Sequence, residues 1–241
     1  MKNGYGQFCP IAKAAEIFAT RWTPLVLREL MSRAHTFNEI HQGVPLMSRA
    51  LLAERLRQLE ADGLVQRIRS SSRRGGEYHL TPAGEAFRGL VAALGDWGVQ
   101  YARGRITADD LDPGLLLWAM RVRIKSDELP PDRVIVQFEF SGVPAARTKF
   151  QRMWLILERH KEADVCAKDP GYPIDLLVRC SITDIVSVFV GTTPWQSAFK
   201  ESIRVEGDAR LARALPKLLR LDKVPGRDMP FVHYNANASA A

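Results

Sequence analysis

The sequence predicts an α+β fold in two domains, a helical domain closed by a short basic hairpin and then a domain of sheet and helices. Three stretches predict it. Ser48 to Gly63 reads as one helix, with Leu52, Leu56 and Leu59 on a single apolar stripe. Leu64 to Arg69 and Glu77 to Leu80 read as two strands joined by a basic loop, Ser70 to Gly76, that holds no apolar residue. Arg133 to Ser141 alternates strictly, with Val134, Val136, Phe138 and Phe140 on one face.

Composition narrows the class. The chain has 241 residues, 46% hydrophobic and 25% charged, as an ordinary soluble globular protein does. No run approaches the roughly 18 apolar residues of a membrane span. Residues 1–6 lack the apolar core of a secretory leader. Cys9, Cys166 and Cys180 are odd in number and far apart, which argues against a disulfide framework and for a reducing, cytoplasmic setting. The net charge is +7 and unevenly spread. Residues 1–105 carry 15 basic against 9 acidic side chains, residues 106–241 carry 19 against 18. Such asymmetry is expected if only the first domain meets a polyanion.

In chain order, Cys9-Pro10 opens a helix to about Ala19, with Ile11, Ala14, Ala15 and Phe18 on one side. Thr23-Pro24 reads as an N-cap with proline behind it, starting a helix that contains Leu25, Val26, Leu27, Leu30 and Met31. Thr36-Phe37-Asn38-Glu39 is a capping box for a short helix ended by Gly43. Val44 to Met47 is the turn. Ser48 caps the next helix, Gly63 ends it, and Ala50, Glu54 and Arg57 point away from its leucine stripe. After the hairpin, Thr81-Pro82 starts a longer helix to about Arg103, whose apolar set is Phe87, Leu90, Val91, Leu94, Trp97 and Tyr101. Helix, short turn, helix and basic hairpin together make a winged helix-turn-helix.

This stretch resembles the HxlR-type winged-helix transcriptional regulators. The resemblance is carried by Cys9-Pro10-Ile11, Arg21-Trp22-Thr23, Phe37-Asn38-Glu39-Ile40, Ser48 through Val65, Tyr78-His79-Leu80-Thr81-Pro82-Ala83-Gly84 and Trp97-Gly98. It departs at Pro24 and at the wing tip, Arg73-Arg74-Gly75-Gly76. It implies a dimer that binds double-stranded DNA, with the domain's first and last helices forming much of the dimer contact.

Arg105 to Asp110 is a polar linker before a new cap at Asp112-Pro113. Leu115 to Lys125 then reads as a helix, and further strands are expected at 133–141, 150–157, 163–166 and 174–180. Ser181-Ile182-Thr183-Asp184 caps a helix with Ile185, Val186 and Phe189, and Thr193-Pro194 caps a short one with Trp195 and Phe199. Residues 203–208 form a last strand, followed by a helix from Ala209 to Leu219. Residues 174–219 resemble the lipid-binding fold of sterol carrier protein type two, which implies a sheet and helices around an apolar tunnel. The expected division is 6–105 for DNA binding, 110–221 for a sterol-carrier-like domain of ligand binding or assembly, and 222–241 for a flexible tail.

Arginine can donate two bonds to guanine, and small residues let a helix enter the major groove. Ser48, Arg49, Ala50, Glu54 and Arg57 are therefore the groove candidates, against a solvated helix face. Arg67, Arg69, Arg73 and Arg74 are the wing candidates for phosphate or minor-groove contact. Cys9 precedes a helix, where a thiolate is favoured. The resemblance makes it a candidate redox sensor, and a small buried residue at the dimer contact is the other reading. Phe138, Phe140, Trp154, Ile185, Phe189, Trp195 and Phe199 are candidates for an apolar ligand pocket, against a filled core. The histidines have no zinc-like spacing, and no catalytic constellation or phosphate loop is present, so neither enzyme activity, metal nor cofactor is expected. The expected function is a dimeric, sequence-specific DNA-binding transcriptional regulator, controlled by a hydrophobic ligand or by thiol modification. The alternative is a lipid carrier whose winged helix mediates protein contacts.

Overall fold

Proline at the start of a helix sacrifices no backbone bond, and Pro10 opens α1 (Pro10–Phe18) on that basis. The structure is a computed structural model that describes residues 4–32, 34–68 and 76–222. Arg69, Arg73, Arg74 and the tail from 223 onward lie outside the described residues. Helix α1 buries none of its side chains, and Ile11 is 79% exposed.

Helix α2 (Thr23–Met31) starts differently from the expectation. Thr23 is its first residue, and Trp22 is the cap, in the left-handed region at φ 76°. The Trp22 carbonyl accepts the Val26 N–H at 2.9 Å, the N–H that a Thr23 hydroxyl cap would have needed. Thr23 Oγ1 is left buried without a partner. The helix buries Val26, Leu27, Leu30 and Met31, and with them the Glu29 carboxylate. Arg28 Nε donates to Glu29 at 2.8 Å, and Arg28 Nη2 donates to the Gly43 carbonyl at 2.9 Å. A Cβ on Gly43 would stand 2.0 Å from that carboxylate, so glycine allows the next helix to seat here.

That helix is α3 (Phe37–Gly43), followed by α4 (Arg49–Ala61). The hairpin is β1 (Val65–Ile68) paired antiparallel with β2 (Glu77–Leu80), Val65 opposite Leu80. The single helix expected from Thr81 onward is two, α5 (Pro82–Ala86) and α6 (Arg88–Tyr101). The chain tightens between them, because the Phe87 N–H bonds to the Gly84 carbonyl only three residues back, at 3.1 Å. The expected apolar set is largely uncovered: Val91 is buried, while Leu90, Leu94, Trp97 and Tyr101 are exposed. Phe87 stacks on Phe18 of α1, ring centroids 5.5 Å apart.

The chain divides into two compact units, one running to Gly95 and the next starting at Asp96. Beyond the end of α6, the second holds α7 (Pro113–Arg121), capped by Asp112, whose carboxylate accepts the Gly114 and Leu115 N–H groups at 2.9 and 3.1 Å. Its sheet comprises β3 (Val134–Ser141), β4 (Arg152–Leu157), β5 (Asp164–Cys166), β6 (Leu176–Ser181) and β7 (Arg204–Gly207). The order is β5-β4-β3-β6-β7, antiparallel except for the parallel pair β3 and β6. Strand β4 starts later than expected because Ala145–Phe150 is wound as a 3₁₀ segment. Helices α8 (Ile182–Phe189), α9 (Trp195–Glu201) and α10 (Ala209–Leu218) complete the unit. Ser181 caps α8 as expected, accepting the Asp184 N–H at 3.0 Å, whereas α9 is preceded by Pro194 with no side-chain cap.

Helices and one sheet face enclose a core of Leu117, Met120, Val136, Phe138, Leu155, Ile185 and Leu215. Strand β3 departs from simple alternation, since Ile135 and Gln137, on its other face, are buried as well. Fold class is thus α+β, with a winged helix-turn-helix before a sheet-and-helix unit.

Candidate nucleic-acid interface

The candidate surface is built from caps. Thr36 Oγ1 accepts the Glu39 N–H at 3.2 Å, and the Glu39 carboxylate accepts from Thr36 N at 2.9 Å and His35 N at 3.0 Å. These bonds satisfy free donors at the start of α3 and fix its entry. The turn is braced by His41, whose Nε2 lies 2.9 Å from the Met47 carbonyl oxygen. Ser48 Oγ then accepts the Leu51 N–H at 3.2 Å and starts α4. Its far end closes on Gly63, at φ 72°, with Leu64 N–H bonded to Leu59 O at 2.9 Å and Gly63 N–H to Glu60 O at 3.0 Å. That pair of bonds is a Schellman motif.

With its ends set, α4 can present only one face. Leu52, Leu56 and Leu59 are buried, and Ser48, Arg49, Ala50 and Arg57 are exposed. Arg57 is paired with Glu54, and Glu54 also accepts from Gln58 Nε2 at 3.0 Å. Arg49 reaches back to α3. Its Nη2 donates to Asn38 Oδ1 at 2.8 Å, and its guanidinium lies 4.8 Å from the centre of the Phe37 ring. Ala50, Glu54 and Arg57 thus lie on the side of α4 away from its leucine stripe, and Arg49 is turned toward α3. Phe37 and Asn38 were not among the groove candidates, since sequence spacing within α4 carries no signal of a contact back to α3.

The hairpin is joined to the helix pair through its inner strand. Tyr78 N–H donates to His35 O at 2.8 Å, and His35 Nδ1 lies 3.2 Å from Tyr78 O. The His35 and His79 rings stack at 4.4 Å. Arg67 is exposed on β1, opposite Tyr78, with its guanidinium 5.6 Å from that ring. Gly76, at φ 75°, reopens the hairpin after the loop, and a Cβ there would meet Ile68 O at 2.8 Å. Of the four wing candidates Arg67 alone is among the described residues.

The remaining candidates separate. Cys9 caps α1 and is half-buried, with its carbonyl accepting the Lys13 N–H at 3.1 Å. Burial pushes the Cys180 thiol up to about 12, with Asp184 adding to it, and burial also raises Cys166 beside Asp164. Phe138, Phe140, Ile185 and Trp195 belong to one core cluster, and Phe189 packs against it. Trp154 does not join them. It sits opposite Gln137 in the sheet, on the other face from Phe138, and its Nε1 is buried without a partner. Phe199 is 42% exposed, stacked on Trp195 at 5.8 Å. Among the described residues no group of three or more metal-ligating side chains converges, and no helix is long and apolar enough to cross a membrane.

Residues 17–105 match the family described as HxlR-like helix-turn-helix. Over 97 residues the chain is 31% identical to the HTH-type transcriptional regulator YvaP of Bacillus subtilis, covering 39% of this chain and 90% of that protein. Over 96 residues it is 34% identical to the HTH-type transcriptional regulator YtfH of Escherichia coli, covering 39% and 76%. Solved structures of sterol carrier domains are also among its neighbours. The sterol carrier protein domain 2 of Helicoverpa armigera aligns at 16% identity and a TM-score of 0.29, over 59% of this chain and 91% of that one.

Proposed function

The chain belongs to the HxlR-like helix-turn-helix family, and from that premise we propose that it is a sequence-specific, dimeric DNA-binding transcriptional regulator. One observation carries the reading: the His35–Tyr78 bonds tie the hairpin to the segment that opens α3, and Asn38 of α3 holds Arg49 of α4, so helix and wing approach a duplex as one body. Ser48, Arg49, Ala50 and Arg57 then face the major groove, with Glu54 steering Arg57. Arg67 lies along the backbone. Arg49 and Arg57 supply base-edge donors, and wing cations supply salt-dependent affinity with little choice of sequence.

Dimerisation is supported by the uncovered apolar residues of α1 and α6. Two copies would present two α4 helices to half-sites separated by about one helical turn or a multiple of it. Control acts by shifting the population of dimers with the correct helix separation. Its input is a hydrophobic ligand held by the second unit or modification of the Cys9 thiol at the mouth of α1.

The test is a gel shift with the upstream region of the protein's own gene. Arg49→Ala should weaken binding about tenfold or more, the worth of one good bidentate base contact. Arg67→Ala should weaken specific and non-specific duplexes alike. If neither variant differs from wild type, these faces do not meet DNA. Wild-type affinity that is flat between low and moderate salt would favour the lipid-carrier reading instead.

A further inference from the structure

Several cations in the second unit are matched with carboxylates. Arg133 pairs with Glu158, Arg147 with Asp112, Arg179 with Glu139 and Glu206, and Arg220 with Glu128. Helix α10 gathers three that are not matched. Arg210, Arg213 and Lys217 are exposed and form no ion pair among the described residues. Arg213 Nε bonds only to a backbone carbonyl, that of Ala209, at 3.0 Å. The nearby acid, Asp208, is the helix cap. Its carboxylate accepts the Arg210 and Leu211 N–H groups, both at 2.8 Å.

At positions i, i+3 and i+7 the three cations form one stripe, about 10 Å long at 1.5 Å rise per residue. The opposite side of α10 holds Leu215, fully buried in the core, so the helix cannot roll the stripe inward. With that apolar side committed, α10 has nothing to insert into a bilayer. Charge alone is on offer, and a regularly spaced polyphosphate is its complement. The near-neutral balance of residues 106–241 averages over this local excess.

We infer that α10 is a second DNA contact, its Arg210–Arg213–Lys217 stripe binding the phosphate backbone of double-stranded DNA without regard to sequence. The inference rests on the regulator reading and gives the second unit a part in DNA affinity as well as in control.

The experiment uses the full chain and fluorescence anisotropy on mixed-sequence duplexes of about 20 and 40 base pairs, across about 50 to 200 mM salt. In the triple variant Arg210→Ala, Arg213→Ala, Lys217→Ala, the slope of log affinity against log salt should fall by about 2 to 3, at roughly 0.9 for each phosphate no longer neutralised. The double variant Arg210→Lys, Arg213→Lys should keep the wild-type slope, because the stripe acts through charge and not shape. Should the triple variant melt early, Lys217→Gln alone should lower the slope by about 1. An unchanged slope in a folded variant overturns the proposal while leaving the regulator reading intact. Wild type that binds neither duplex overturns both. Loss of sedimentation with phosphatidylglycerol vesicles, at an unchanged DNA slope, would make the stripe a membrane contact and overturn it too.

Discussion

Surroundings separate residues that are identical in sequence. Cys180 is 5% exposed, and burial pushes its thiol from an ordinary value of 9.0 up to about 12. Cys9 stands half-buried at the mouth of α1. At mildly alkaline pH, iodoacetamide should label Cys9 in the native protein and Cys180 only after unfolding, read by mass spectrometry. Native labelling of Cys180 would contradict its burial. The linkage has a definite sign. The folded state keeps a proton that the unfolded chain releases, so the contribution of Cys180 is complete below pH 9 and declines as pH rises toward 12. Cys180→Ala should flatten that part of an alkaline denaturation profile. Arg49 shows the same dependence on surroundings, because Phe37 and Asn38 of the preceding helix set its direction.

Helix α4 is the element on which the DNA reading turns, and its length is set by chemistry at its ends. Gly63 has open space around it, with nothing within 4 Å of a built Cβ, so replacing it tests backbone strain alone. Gly63→Ala should cost about 1 to 2 kcal/mol, the penalty of a left-handed residue that has a Cβ. Urea denaturation measures it, and a change below about 0.3 kcal/mol would show that the helix ends elsewhere in solution. Thr23 marks the limit of reading elements from motifs. Thr-Pro is a good cap signature, but the Trp22 carbonyl had already engaged the Val26 N–H.

At the scale of the molecule, the telling feature is apolar surface without cover. Leu90, Leu94, Trp97 and Tyr101 follow one another at four, three and four residues along α6, so they form a seam, and each is exposed. Ile11 is exposed on α1 as well. Leu94→Asp combined with Trp97→Ser should halve the mass seen by light scattering and weaken binding to a two-half-site operator far more than to a single half-site. An unchanged mass would place the dimer contact elsewhere.

The local chemistry of this protein was legible from its sequence alone. The Thr36–Glu39 box, the Ser48, Asp112 and Ser181 caps, the Gly63 stop and the leucine stripe all depend on residues within a few positions of each other, where spacing determines geometry. Alternation pointed to the strands at 64–69 and 133–141, while the pairing of Val65 with Leu80 in the hairpin came only from the folded chain. Tertiary structure alone decided which apolar residues would be covered. The same 3.6-residue pattern buries Leu52 and leaves Leu94 open, and the same alternation puts Phe138 in the core and Trp154 on the far side of the sheet. Periodicity tells which side chains share a face. What packs against that face is set by chain segments far away in sequence, and so is the direction in which an arginine such as Arg49 is held.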